Sequence, residues 1–230
     1  MRYRCGDVTD TRATWTCPGP DGPSQEHALA LDRGRSRRLL IVPALFEEQN
    51  RTRRLLVQTL RLLDAAGIDG FLPDLPGCNE SLQDFERQSL NAWRLAMLDA
   101  ARQFGATEVL AVRGGALVLP AHLPGHVLEP VSGASLLRRL LRARIVALRE
   151  DGEHASIDDL LERGREDGLT LAGYHFNPAM IAGLEGALPA HEGQRTILLA
   201  ELGGGPALWS RAEPGEDAQQ AAALARIVAA

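Results

Sequence analysis

The chain has no lysine: its 25 basic residues are all arginine. That absence excludes Schiff-base lysines, the P-loop lysine and Ser-Lys dyads, so PLP enzymes, Walker-type nucleotidases and lysine-dependent aldolases are set aside. Arginine stays charged and cannot shuttle protons at neutral pH. Codon bias explains the missing lysine better than function does, because Ala, Leu, Gly and Arg are abundant together. Cysteine is scarce as well: Cys5, Cys17 and Cys78 form no C-x-x-C pair, so neither a disulfide framework nor a zinc site is expected. Long apolar runs are missing. The run at residues 39–46 is far too short to cross a bilayer, so no membrane insertion is expected. The N-terminus lacks the apolar segment of a secretory signal, which makes the cytoplasm the expected setting. A net charge of -5 gives no global attraction for nucleic acid.

What is present suits a soluble globular chain, with 45% hydrophobic and 24% charged residues and room for a sizeable core. The expected organisation is one domain over residues 1–230, with residues 1–36 as an N-terminal edge segment or hairpin built from 11–17 and 27–31. From residue 39 onward, short apolar runs alternate with helical patterns, the mark of a mainly parallel sheet with crossover helices. Strands are expected at 39–43, 68–73, 108–112, 127–131, 169–173 and 196–202. Helices are expected at 52–66, 82–104, 135–149, 156–163, 178–188 and 219–230, with Gly67 and Gly105 closing two of them and Ser156 capping another. The arginines of 138–149 and the cluster Arg33, Arg35, Arg37, Arg38 read as solvated.

Three segments after strands carry chemistry. Ala111-Val112-Arg113-Gly114-Gly115 has the small-x-nucleophile-x-small spacing of a nucleophile elbow, where a tight strand-to-helix turn excludes bulk on either side. Its central residue is arginine, which is no nucleophile. Val42-Pro43-Ala44-Leu45-Phe46-Glu47-Glu48-Gln49-Asn50 stands where an oxyanion-hole loop would follow an earlier strand. Asp74-Leu75-Pro76-Gly77-Cys78-Asn79-Glu80-Ser81 is similar to a D-x-x-G-x-G-x-S turn with Asn79 in place of its second glycine.

With Glu129-Pro130-Val131-Ser132-Gly133 and the following Leu136-Leu137-Arg138, these segments resemble the exosortase A system-associated hydrolases of type 2. A weaker fifth match is Ala172-Gly173-Tyr174 with Pro178. The resemblance covers most of residues 39–188. It implies an α/β-hydrolase-like sheet of about six to eight strands with helices on both faces, and arginine at the elbow as a property of the family. It further implies an ester or acyl hydrolase of the exopolysaccharide and exosortase systems, with a component of that export machinery as a partner.

The residues do not complete a serine-hydrolase triad, because no histidine follows residue 196. Glu48, Ser132 and His175 are the catalytic candidates, with Ser81 and Cys78 weaker. His122 and His126 are separated by Pro124-Gly125, and His27, His154 and His191 lie in polar turns, so no metal is expected; no cofactor is expected either. Asn50 reads as a helix N-cap and Arg53 as a helix-to-loop bond. Arg113 reads in two ways. With Gly114 and the first N–H groups of a following helix it forms a receptor for a small anionic molecule, in which Glu47, Glu48, Asn50 and Asp74 take part. Alternatively it pairs internally with Glu47, Glu48 or Asp74. Two functions stay open: an unorthodox hydrolase with its site around Glu48, Arg113 and Ser132 or His175, and a non-catalytic relative that binds an anionic ligand or a partner of the exosortase or export system.

Overall fold

The computed structural model describes residues 11–19, 22–189 and 193–230, so the expectations for Cys5 and His191 fall outside the described residues. The chain opens with an antiparallel hairpin, β1 (Thr11–Cys17) and β2 (Ser24–Leu31). Then come β3 (Arg38–Val42), α1 (Glu47–Ala65), β4 (Asp69–Pro73), α2 (Leu90–Gln103), β5 (Glu108–Val112) and β6 (Gly125–Leu128). The remainder is α3 (Gly133–Glu150), α4 (Ile157–Glu166), β7 (Leu169–Leu171), β8 (Tyr174–Phe176), α5 (Pro178–Gly186), β9 (Gln194–Ile197) and α6 (Ala218–Ala229). Seven strands form one sheet in the order β1-β2-β4-β3-β5-β6-β9, parallel from β4 to β9 and antiparallel at the β1–β2–β4 edge.

Both faces of this sheet are covered, which is why its central strands read as unbroken apolar runs. Alternation along β3 sends Leu39 and Ile41 to one face, against Leu56, Leu60 and Leu63 of α1 and Leu224 and Val228 of α6. Leu40 and Val42 face the other way, into a cluster with Trp93 and Met97 of α2, Leu136 and Leu140 of α3 and Leu184 of α5. Each fully buried leucine contributes about 1.5–3 kcal/mol relative to exposure.

Several boundaries differ from the sequence reading. α1 starts five residues early because Phe46 turns the chain at φ 57°, so Asn50 lies inside the first turns of the helix, exposed, and does not cap it. The helix expected at 82–104 begins only at Leu90: Asp84 caps a separate 3-10 turn, and the Ser89 hydroxyl accepts from Ala92 N–H at 3.1 Å to start α2. The strand expected at 169–173 is instead a hairpin outside the main sheet. Ala172 and Gly173, both at positive φ, form the two-residue turn between β7 and β8. Arg33, Arg35, Arg37 and Arg38 reach solvent, as expected, Arg33 above all, but they are also paired. They form a collar at the amino ends of the strands, paired with Asp32, Asp64, Asp69 and Glu108.

Candidate functional site

β5 ends at Val112, and the chain then turns sharply through Arg113 at φ 54°, a conformation that costs an L-residue about 1–3 kcal/mol. The turn is possible only with small neighbours. A Cβ on Gly115 would lie 2.4 Å from the Pro43 carbonyl oxygen, and one on Gly114 would meet Leu136 Cδ1 at 2.6 Å. Elbow geometry is therefore present at the position the spacing indicated. The helix after it is not. Residues Arg113–Leu117 form one 3-10 turn, and α3 and α5 pack against this face of the sheet.

The arginine is fully engaged. Its Nε donates to Glu48 Oε2 at 3.3 Å, its Nη2 to Glu48 Oε1 at 3.2 Å and its Nη1 to the Glu129 carbonyl at 3.0 Å. The guanidinium lies over the Trp209 ring, 4.9 Å from its centroid. Glu48 is wholly buried and lies on the first turn of α1, where a carboxylate also favours the helix dipole. A second cation reaches it: Arg139 of α3 donates Nη1 to Glu48 Oε1, and Nη2 to Glu47 Oε1 at 3.1 Å. Glu47 also faces Arg51 at 3.8 Å. Two atoms of the network, Glu47 Oε2 and Arg139 Nε, are buried without a hydrogen-bond partner among the described residues.

Sequence reasoning missed Arg139, which it left on the wet face of α3. The signal was present in its spacing: Arg139 follows Leu136 by three and precedes Leu140 by one, on the shoulder of the buried stripe. Trp209 is buried and carries the arginine on its ring face.

Asp74 is elsewhere. It is buried at the end of β4, where Oδ1 accepts from Arg53 Nη1 at 2.7 Å and from Asn79 Nδ2 at 2.8 Å. Arg53 thus makes the expected helix-to-loop bond. Asn79 takes φ 51° where the turn pattern has glycine, a conformation asparagine tolerates better than most residues.

The other nucleophile candidates are occupied with structure. Ser132 caps α3, its hydroxyl accepting from Ser135 N–H at 3.3 Å and donating to Ser135 Oγ at 2.9 Å. Ser81 accepts from Gly77 N–H at 2.8 Å and Gln83 N–H at 3.2 Å. Burial, followed by the Asp74 and Glu26 charges, pushes the Cys78 thiol up to about 12, so the thiolate is not formed near neutrality. His175 stands on β8 between Tyr174 and Phe176, whose rings pack against Phe46, and its Nδ1 meets Thr170 Oγ1 at 3.3 Å. No group of three or more His, Cys, Asp or Glu side chains with metal-site geometry occurs among the described residues.

No protein-family model and no curated protein matches the chain. Solved structures do. A hydrolase from Agrobacterium vitis S4, itself described as putative, superposes at a TM-score of 0.51 with 18% identity, over 75% of this chain and 70% of that one. Est1E from Butyrivibrio proteoclasticus, solved with ferulic acid bound, gives a TM-score of 0.52 with 13% identity over 75% and 74% of the two chains. Mouse alpha/beta hydrolase domain-containing protein 10 gives 0.51 with 12% identity over 81% and 76%. With the strand order and the elbow after β5, these likenesses establish that the chain has an α/β-hydrolase fold.

Proposed function

We propose that the protein is a non-catalytic member of the exosortase A system-associated hydrolase family, acting in the cytoplasm as a binding component of the exosortase or export system. One observation carries this reading: the nucleophile's place is taken by Arg113, and its guanidinium is closed on the buried carboxylate of Glu48. Acyl transfer needs a nucleophile within hydrogen-bond reach of a base. Ser132 makes its bonds to Ser135, His175 makes its bond to Thr170, and Glu48 is flanked by two guanidinium groups. A charged pair that fills the elbow leaves the fold available as a scaffold.

The test is hydrolysis of p-nitrophenyl acetate and butyrate by the purified chain, compared with its Arg113→Ala variant. Neither protein is expected to exceed the buffer rate. Robust turnover by the parent that falls in Arg113→Ala would restore the hydrolase reading and overturn this one.

A further inference from the structure

Three strands away from the elbow, the outer edge of the sheet leaves a cavity of about 450 Å³ on the face covered by α1, a volume within the range of small-molecule sites. α1 packs over the centre of the sheet, and its flank meets the outer strands as the wall of a trough. Leu29 of β2 and Val57 of α1 supply apolar surface; Arg12, His27, Arg53 and Asp74 supply the charge and polarity. Strand register explains the grouping. Arg12 stands opposite Leu29 across the β1–β2 pair, so both side chains lie on one face, and His27 shares that face two residues along β2. The trough lies near the carboxyl end of β4, because Ala28 pairs with Pro73 and Asp74 follows directly. Ligands of open α/β sheets are commonly held at that end.

The state of the charges decides what the trough fits. Asp74 is paired with Arg53 Nη1 and also accepts from Asn79 Nδ2. Glu80, like Arg12, lies on the solvent side of the trough. Arg53 uses Nη1 alone in that contact, which leaves Nε and Nη2 as donors, and Arg12 has no hydrogen bond or ion pair among the described residues. Unused donors therefore outnumber unused acceptors. We propose that this trough is a binding site for a small organic anion, whose oxyanion head is held by Arg12 and Arg53 and whose short apolar body lies on Leu29 and Val57. The site is separate from the elbow and does not rest on the reading given for it.

Isothermal titration calorimetry of the full chain with hexanoate, hexyl phosphate and hexylamine tests this. At least one of the two anions is expected to bind, the tighter one distinguishing a carboxylate from a phosphate ligand, and hexylamine is expected to be silent. Arg12→Gln, an exposed position, is expected to weaken the anion about tenfold. Val57→Glu, with its fold checked by circular dichroism, is expected to abolish binding, and Arg139→Gln at the elbow to leave it unchanged. The proposal is overturned if neither anion binds at millimolar concentration, if hexylamine binds more tightly, or if Arg139→Gln removes binding while Arg12→Gln does not. Ester hydrolysis by the parent would refute the elbow reading without touching this one.

Discussion

Two arginine–carboxylate networks sit at opposite ends of the same sheet, and they are built on different backbones. At the amino ends, Arg35 and Arg38 reach the buried Asp69, Arg33 and Arg35 reach Asp64, and Arg37 reaches Glu108 across strands in ordinary conformations. At the carboxyl ends, Glu48 binds Arg113 and Arg139 amid three strained residues, Phe46, Arg113 and Glu129, with φ of 57°, 54° and 46°. Each such residue costs about 1–3 kcal/mol and persists only where its surroundings enforce it. The amino-end collar fastens strand starts together without strain. The carboxyl-end network fills a strained strand-to-turn elbow with a charge pair, and that difference supports the non-catalytic reading proposed for it.

The comparison predicts unequal costs for similar substitutions. Glu48→Gln leaves Arg113, whose side chain is only 13% exposed, without a counter-charge, so urea denaturation should show a loss of roughly 3–5 kcal/mol. Arg37→Gln at the collar, where the arginine is 43% exposed, should cost about 1 kcal/mol or less. Equal losses would break the distinction between the two ends.

Acid separates them next. Hydrogen bonds from Arg33, opposed by burial and reinforced by Arg35, lower the Asp64 carboxyl to about 2. Its folded pKa lies below its unfolded value, so the unfolded chain binds more protons between the two, and stability rises with pH across that window. The contribution is present above about pH 4 and disappears as pH falls towards 2. It amounts to no more than about 2 kcal/mol, reduced by the screening that the exposed Arg33 allows. Stability measured from pH 5 to pH 2 should show this limb in the parent and lose part of it in Asp64→Asn.

The smallest effect belongs to Ser132. As a helix cap, its replacement by alanine should cost about 1 kcal/mol and leave ester hydrolysis at the buffer rate. An esterase activity that vanished in Ser132→Ala would make it a nucleophile instead.

Much of this frame is legible in the sequence. After their charged first residues β3 and β5 are continuous apolar runs, and Ser156 caps α4 with a full capping box to Asp159, as its position before two aspartates suggested. The elbow spacing located Arg113 correctly because its small neighbours are a steric requirement. Other features left no local trace. Phe46 at positive φ sets the start of α1 five residues early, and nothing in a phenylalanine announces that conformation. Three acids stood open as partners for Arg113, and only tertiary structure assigns Glu48 to it and Asp74 to Arg53. Arg139 lies 91 residues from Glu48 in sequence, so its part in the network depends on how α3 docks.

A double-mutant cycle on Arg113→Met and Glu48→Leu, read by urea denaturation, tests the central claim most directly. If the elbow is filled by a structural ion pair, Glu48→Leu strands the buried Arg113 and loses roughly 3 kcal/mol, Arg113→Met loses less because Glu48 keeps Arg139, and the double variant loses far less than the sum. Strictly additive losses would mean that the two residues do not depend on each other, and would contradict the account.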